Sequence, residues 1–483
     1  MDTGRTDNIV DSLVTLLGPN AVLQHPEDYA RYTQDWAGHR LGEPLAVVRP
    51  KTTEEVAGVV RLCQEHGIRM VPQGGHTGLV GGALPDKDNN EIVISLERMN
   101  RVHSLDPIGF TMTVDGGCVL EDIKRAAEEQ ACFFPLSLGA QGSCQIGGNI
   151  ATNAGGLNVL RYGMTRELVL GLEVVLPDGR IWNGMTALRK DNRGYDLKQL
   201  FIGSEGTLGI ITAAVLKLFP KPEQTQTALL AIPSVAAAMQ IYTLARRSCS
   251  DLLSAFELIP RQCMELAFEA APQLADPLDK AYPYYVLLET AATGPVDLAQ
   301  MMEHFLEQGM TSELILDGVL ATSSAQAHQL WFIRESMLEG QRLRGEHLRT
   351  DVSVPISALA DFVEAATAVV TSHSPELTVI PYGHVGDGNL HFNILPPRNM
   401  PAEQAVTALH EVEKLIFDVL DRFDGSISAE HGIGRIKQHA YLSRISDDEK
   451  ALMISIKRTF DPHCLMAADR ILPASMMESS IDK

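Results

Sequence analysis

Residues 72–82 read PQGGHTGLVGG, five glycines in eleven positions, directly after the strand-like run IRMV. Glycine admits positive φ and lets backbone N–H groups approach an anion closely, which is how nest-like loops hold a pyrophosphate. The spacing is neither GxGxxG nor GK[ST], so the Rossmann and P-loop fingerprints do not fit, and a long structural loop would carry the same glycines. Working outward, residues 135–163, PLSLGAQGSCQIGGNIATNAGGLNVLRYG, repeat the theme, adding the amides Asn149 and Asn153. A flexible linker would not interleave Ile146, Ile150, Leu157 and Val159. FIGSEGTLGIIT, at 201–212, is a third such stretch. Three backbone-exposing segments imply a large ligand with many hydrogen-bonding groups.

The chain has 483 residues, 45% apolar and 21% charged, enough for two large domains with buried cores. A net charge of −21, from 40 basic and 61 acidic residues, repels phosphate backbones and argues against a nucleic-acid partner. Seven scattered cysteines, with no CxxC pair, read as reduced thiols in a cytoplasmic protein. The start, MDTGRTDNIVDSL, lacks a basic stretch followed by an apolar one and is read as no signal peptide. TALLAIPSVAAAMQIYTLA, at 227–245, is broken by Pro233, Ser234 and Gln240, so a strand followed by a helix N-capped at Ser234 is expected rather than a transmembrane span.

FPKPEQTQT, at 219–227, marks a joint. Beyond it strand-like TALLAIP, SAFELI, YYVLLE and ELILDGVL alternate with helical PVDLAQMMEHFLEQ and SAQAHQLWFIRESMLEGQ. This predicts an α+β domain whose mostly antiparallel sheet carries helices on one face. Within it, residues 381–395 read PYGHVGDGNLHFNIL. If VGDGNL closes a four-residue hairpin loop, His384 faces His391 at a Cβ separation of about 4.5–5.5 Å. Two imidazoles so placed can share a metal ion, and alternation puts Asn393 on the same face. SISAEHGIG offers Glu430 and His431 to complete such a site.

These segments resemble the FAD-linked D-2-hydroxy acid dehydrogenases, a branch with a vanillyl-alcohol oxidase-type FAD domain that includes D-lactate, glycolate and D-2-hydroxyglutarate dehydrogenases. The resemblance runs from about Pro44 to Pro473. It implies an FAD-binding domain at 1–220 and a substrate- and metal-binding domain at 221–430. A helical segment at 431–483 would return to the FAD domain. Pro72, Gly74, Gly75, His76, Thr77 and Gly78 would lie at the FAD pyrophosphate. Ser143, Gly147, Gly148, Asn149, Asn153 and Gly156 would line the flavin, with Glu205 and Ile210 near the adenosine end. A histidine at the place of His76 is covalently joined to flavin in some of the wider superfamily, but the 2-hydroxy acid branch binds FAD without that bond.

The motif HxxDGNxH…EHG further implies His384, His391 and Glu430 as ligands of one divalent metal, Zn2+ or Mn2+, with His431 as general base. Arg334 and Arg349 would contact substrate carboxylate oxygens, Arg349 standing where lysine is common, and Asn393 would join them. Leu338, one turn past Arg334, takes the place of a threonine that holds the distal carboxylate in relatives oxidising 2-hydroxyglutarate. The C-terminal NPGK-like run of the family is replaced by AADR, at 467–470, so a flavin contact from that tail is not expected. The favoured substrate is D-2-hydroxyglutarate, with D-lactate or another short or aromatic 2-hydroxy acid as the alternative. Electron-transfer flavoprotein or a quinone would take the electrons, and a homodimer is compatible with the reading. A zinc hydrolase using His384, His391 and Glu430 would leave the three glycine segments unexplained.

Overall fold

Strands Ala46–Val48 and Glu91–Ser95 are buried at every position, as expected where neighbouring strands run parallel. The computed structural model describes residues 3–88 and 90–478, which divide into two compact units. One comprises the described residues of Met1–Gly155, Gly163–Lys221 and Glu430–Lys483; the other comprises Gly156–Tyr162 and Pro222–Ala429.

In the first unit a four-stranded sheet orders Val22–Leu23, Ala46–Val48, Glu91–Ser95 and Arg69–Gln73 side by side. Helix Thr53–His66 is the crossover between two of these strands. Thr52 caps its start by accepting the Glu55 N–H at 3.2 Å, and Gly67 ends it at φ 63°. Strand Arg69–Gln73 runs directly into Gly74. The first glycine segment therefore leaves the carboxyl end of a parallel strand, where open α/β sheets commonly place ligands. The far side of this strand is covered by the C-terminal segment: Met70 N–H donates to Leu465 O at 2.7 Å and Ala467 N–H to Met70 O at 2.8 Å. A five-stranded antiparallel sheet, with Ile210–Lys217 in its middle, completes the unit.

In the second unit, strands Leu253–Pro260, Tyr284–Ala292, Gln224–Ile232 and Asp317–Leu320 form one antiparallel sheet. Val352–Ser353, Asn389–Leu395 and Thr378–Tyr382 form another. A two-way backbone bridge between Leu258 and Gly383, at 2.9 and 3.1 Å, joins them. Ser234 caps helix Val235–Cys249 as expected. The expectation of helices on one face is corrected: every residue of Leu253–Pro260 is buried, which requires both faces to be covered. On one face Leu229, Ile259 and Leu287 pack with Met264, Ile333 and Met337 of helices Arg261–Ala270 and Ser324–Leu343. These two helices touch closely because Gly340 has no Cβ; one there would lie 2.1 Å from Leu266 O. Helices Val235–Cys249 and Leu298–Thr311 also pack on the sheet. No helix among the described residues is long and apolar enough to cross a membrane.

Candidate active site

In the first unit the glycine segments meet backbone to backbone. A Cβ on Gly75 would lie 2.1 Å from Ser143 O, and one on Gly147 would lie 2.8 Å from Gly116 O. Gly78 and Gly148, by contrast, face open space within 4 Å. His76 holds φ at 59°, a left-handed conformation, and neither of its buried ring nitrogens makes a hydrogen bond. Burial lowers its pKa, opposed by Asp35 and by the nearby Gln34 backbone, which approaches the ring without reaching full hydrogen-bond geometry. Gln145 Oε1 and Asn149 Oδ1, on the second segment, are likewise buried without partners. Buried polar atoms are normally satisfied. Orphans on two touching glycine segments therefore fit a large ligand with many donors and acceptors, as FAD is.

Other residues expected at this ligand are used internally. Asn153 Oδ1 accepts the Arg166 N–H at 2.9 Å, and Ser143 Oγ donates to Ala140 O at 3.4 Å. The Ile210 side chain is 1% exposed and packs in the hydrophobic core, and Pro72 lies against Gly206. Thr77 is partly buried. Gly156, at φ 113°, falls in the second unit. Glu205 accepts the N–H groups of Ile433 and Gly434, both at 2.7 Å. Burial raises the pKa of Glu205, while those N–H groups and Lys437 oppose the rise.

That last contact matters because it anchors the loop carrying Glu430 and His431. Arg435 N–H donates to Val80 O at 3.0 Å, and a Cβ on Gly155 would lie 2.7 Å from Glu430 Oε1. All three glycine segments thus brace one short loop, through Val80, Gly155 and Glu205. The AADR tail adds a further clamp that its local sequence does not signal. Arg470, 1% exposed, donates to Gly82 O at 3.0 Å, to Glu91 Oε1 at 3.0 Å and to the Leu84 and Ala468 carbonyls.

In the second unit the hairpin register differs from the expectation. Tyr382, not His384, pairs with His391, and the loop spans six residues, 383–388. The reason is the bridge to Leu258: Gly383, at φ 136°, is drawn to the neighbouring strand and cannot continue the ladder with Asn389–Leu395. The imidazoles still come together, with ring centroids of His384 and His391 5.7 Å apart. Behind His384 sits Glu257, 1% exposed. Its Oε1 meets His384 Nδ1 at 2.5 Å, and its Oε2 accepts Arg334 Nε–H at 2.8 Å. Burial alone would raise the Glu257 pKa, but His384 and Arg334 outweigh it and hold the carboxylate at about 2. The ionised acid therefore accepts a hydrogen bond from Nδ1–H, the tautomer that leaves the lone pair on His384 Nε2. An acid centred in the apolar run SAFELI was the available sign of this contact, since a buried charge requires partners.

The Arg334 guanidinium stands 5.1 Å from the Tyr382 ring centroid, and that ring is 5.1 Å from the His391 ring. Arg349 donates Nε–H to His347 Nε2 at 2.7 Å and makes no ion pair among the described residues. Burial lowers the pKa of Arg349. Two cations that both act on Tyr382, one of them making no ion pair among the described residues, suit an anionic ligand. Leu338, partly buried, lies one turn beyond Arg334. Asn393 is occupied within the fold: Oδ1 accepts Thr350 N–H at 3.0 Å and Nδ2 donates to Gln341 Oε1 at 2.8 Å.

Residues 221–471 match the family described as FAD linked oxidases, C-terminal domain, and residues 44–184 match the FAD binding domain. The chain is 40% identical over 463 residues to a mitochondrial D-2-hydroxyglutarate dehydrogenase of Danio rerio, covering 96% of this chain and 85% of that protein. It is 42% identical over 464 residues to a D-2-hydroxyglutarate dehydrogenase of Xanthomonas citri pv. viticola, covering 95% and 96%. A putative mitochondrial D-lactate dehydrogenase of Schizosaccharomyces pombe is 37% identical, over 91% of this chain and 84% of that protein. Among solved structures, p-cresol methylhydroxylase aligns with a TM-score of 0.75 at 18% identity, covering 98% of each chain. A 4-ethylphenol oxidase from Gulosibacter chungangensis aligns with a TM-score of 0.76 at 16% identity, covering 99% of each. At such identities these two structures speak to the fold alone, which is of the vanillyl-alcohol oxidase type.

Proposed function

Since the chain belongs to the FAD-linked oxidases and is an FAD-dependent dehydrogenase, we propose that it oxidises D-2-hydroxy acids to 2-oxo acids, with D-2-hydroxyglutarate as favoured substrate and a divalent metal ion in the site. The observation carrying this reading is the second unit's cluster: paired imidazoles, one hydrogen-bonded through Nδ1 to Glu257, which also binds Arg334, with the Arg349 cation in the same unit. His384 and His391 would hold the metal, Zn2+ or Mn2+, which when bound supplies Lewis acidity to an α-hydroxyl. The glycine segments would hold FAD non-covalently, and FAD when bound supplies the hydride acceptor. Arg334 keeps two terminal nitrogens beyond the one committed to Glu257, and these with Arg349 receive carboxylate oxygens. His431 would remove the hydroxyl proton as the general base. Electron-transfer flavoprotein or a quinone is the proposed acceptor of the electrons.

The test is anaerobic bleaching of the purified yellow protein by a panel of 2-hydroxy acids. D-2-hydroxyglutarate should bleach it fastest. Chelation should stop bleaching while the yellow colour remains, and His431→Ala should keep FAD and metal but slow bleaching about 10²–10⁴-fold. Full-rate bleaching by metal-free protein would remove the metal from the mechanism. A His431→Ala protein that bleaches at the wild-type rate would assign the proton to another group.

A further inference from the structure

We infer that Glu257 is a shared positioning residue, one buried carboxylate that orients the metal ligand His384 through Oε1 and the substrate cation Arg334 through Oε2. The inference rests on the roles proposed above for those two residues. Glu257 lies in the middle of strand Leu253–Pro260 and is 1% exposed, so its carboxylate is shielded from solvent. Its contacts reach 127 residues forward to His384, at 2.5 Å, and 77 residues forward to Arg334, at 2.8 Å.

Two further features make this a device for position. The adjacent residue, Leu258, exchanges both backbone hydrogen bonds with Gly383, so the main chain beside Glu257 is locked to the main chain beside His384. The imidazole is thus held at its backbone and at Nδ1, leaving little freedom in the direction of Nε2. On the other arm, Arg334 is held at Nε and by the face of Tyr382, whose ring centroid is 5.1 Å away, which aims its terminal nitrogens.

No ordinary substitution can replace this group. Glutamine offers one acceptor and one donor where two donors converge, so one arm is lost outright and the other loses its charge assistance. Aspartate keeps the charge but is one methylene too short to span both partners. Metal-ligating histidines commonly depend on such a carboxylate behind them, and its removal typically costs 10–100-fold in metal affinity. Here the same carboxylate also sets the arginine, so metal affinity and carboxylate recognition should fall together.

The experiment compares wild type, Glu257→Gln, Glu257→Asp and His384→Ala as FAD-loaded proteins. Zn2+ is titrated against a competing chelator, and KM and kcat are measured with D-2-hydroxyglutarate. Glu257→Gln should bind Zn2+ about 10–100-fold more weakly and show a raised KM, with the FAD absorbance of wild type. Glu257→Asp should move both readouts in the same direction. Glu257 variants that melt cooperatively yet keep wild-type Zn2+ affinity, wild-type KM or both overturn the shared role. If wild type and His384→Ala bind Zn2+ alike, the metal reading itself falls. If only His384→Ala loses Zn2+, that reading stands and the Glu257 inference fails alone.

Discussion

The glycine segments of the first unit and the histidine hairpin of the second are built from opposite materials. Around Gly75 and Gly147 the surface is main chain, packed so closely that a single methyl group would collide with a carbonyl oxygen. The polar atoms left over there, on His76, Gln145 and Asn149, are buried and unpartnered. Around His384 and Arg334 the surface is side chain, and its central charge is fully committed through Glu257. The first region should fail when an atom is added and the second when a charge is removed, because one relies on close approach and the other on compensated burial.

The largest expected effect breaks the first region. Gly75→Ala puts a Cβ 2.1 Å from Ser143 O, a backbone contact that no rotamer change can relieve. Yellow holo-protein should be lost, whereas Gly139→Ala, whose Cβ meets nothing within 4 Å, should keep wild-type FAD content and Tm. A Gly75→Ala protein with full FAD content would show that the two segments can part without cost.

A middle-sized effect sharpens the second region. Leu338→Thr places a hydroxyl one turn from Arg334, where the wild type has apolar surface. It should raise kcat/KM for D-2-hydroxyglutarate relative to D-lactate by about tenfold or more, the worth of one hydrogen bond to a charged group. An unchanged ratio would mean that the two arginines hold the distal carboxylate unaided.

The smallest effect concerns His347, which supports Arg349. Its Nε2 accepts from Arg349, its Nδ1 faces Gly345 O at 2.7 Å, and burial first, then Arg349, lowers its pKa, with Gly345 O and Glu346 opposing. A folded-state pKa below the ordinary 6.5 means that the unfolded chain binds more protons as pH falls. The stabilisation is therefore complete above pH 6.5 and lost as pH drops towards the folded value. Melting curves between pH 7.5 and 5.5 should show this component in wild type and its loss in His347→Gln. Identical pH slopes for the two proteins would show that His347 does not titrate against Arg349.

Much of the architecture was legible because it is written locally. Apolar runs such as EIVISL and YYVLLE, the Ser234 cap and the glycine clusters each act within a few residues. The proximity of His384 and His391 was legible for the same reason, since only six residues, two of them glycines, separate them. Their register was not, because Gly383 answers to Leu258, a residue 125 positions earlier. In the sequence Arg470 is only a departure from a motif, yet it clamps carbonyls nearly 400 positions earlier.

By itself the sequence determined which segments become strands and helices, where backbone is laid bare, and which residues offer acidic, imidazole and cationic groups to a site. Backbone propensity, alternation and glycine's missing Cβ act over the nearest few residues, so a linear pattern records them. Only the tertiary structure decided that both faces of the second unit's sheet are covered, that three glycine segments brace the loop of Glu430 and His431, and that Glu257 serves His384 and Arg334 at once. Those outcomes depend on burial and on which distant charge arrives to offset it, and a buried carboxylate finds its partners only when the sheets have joined.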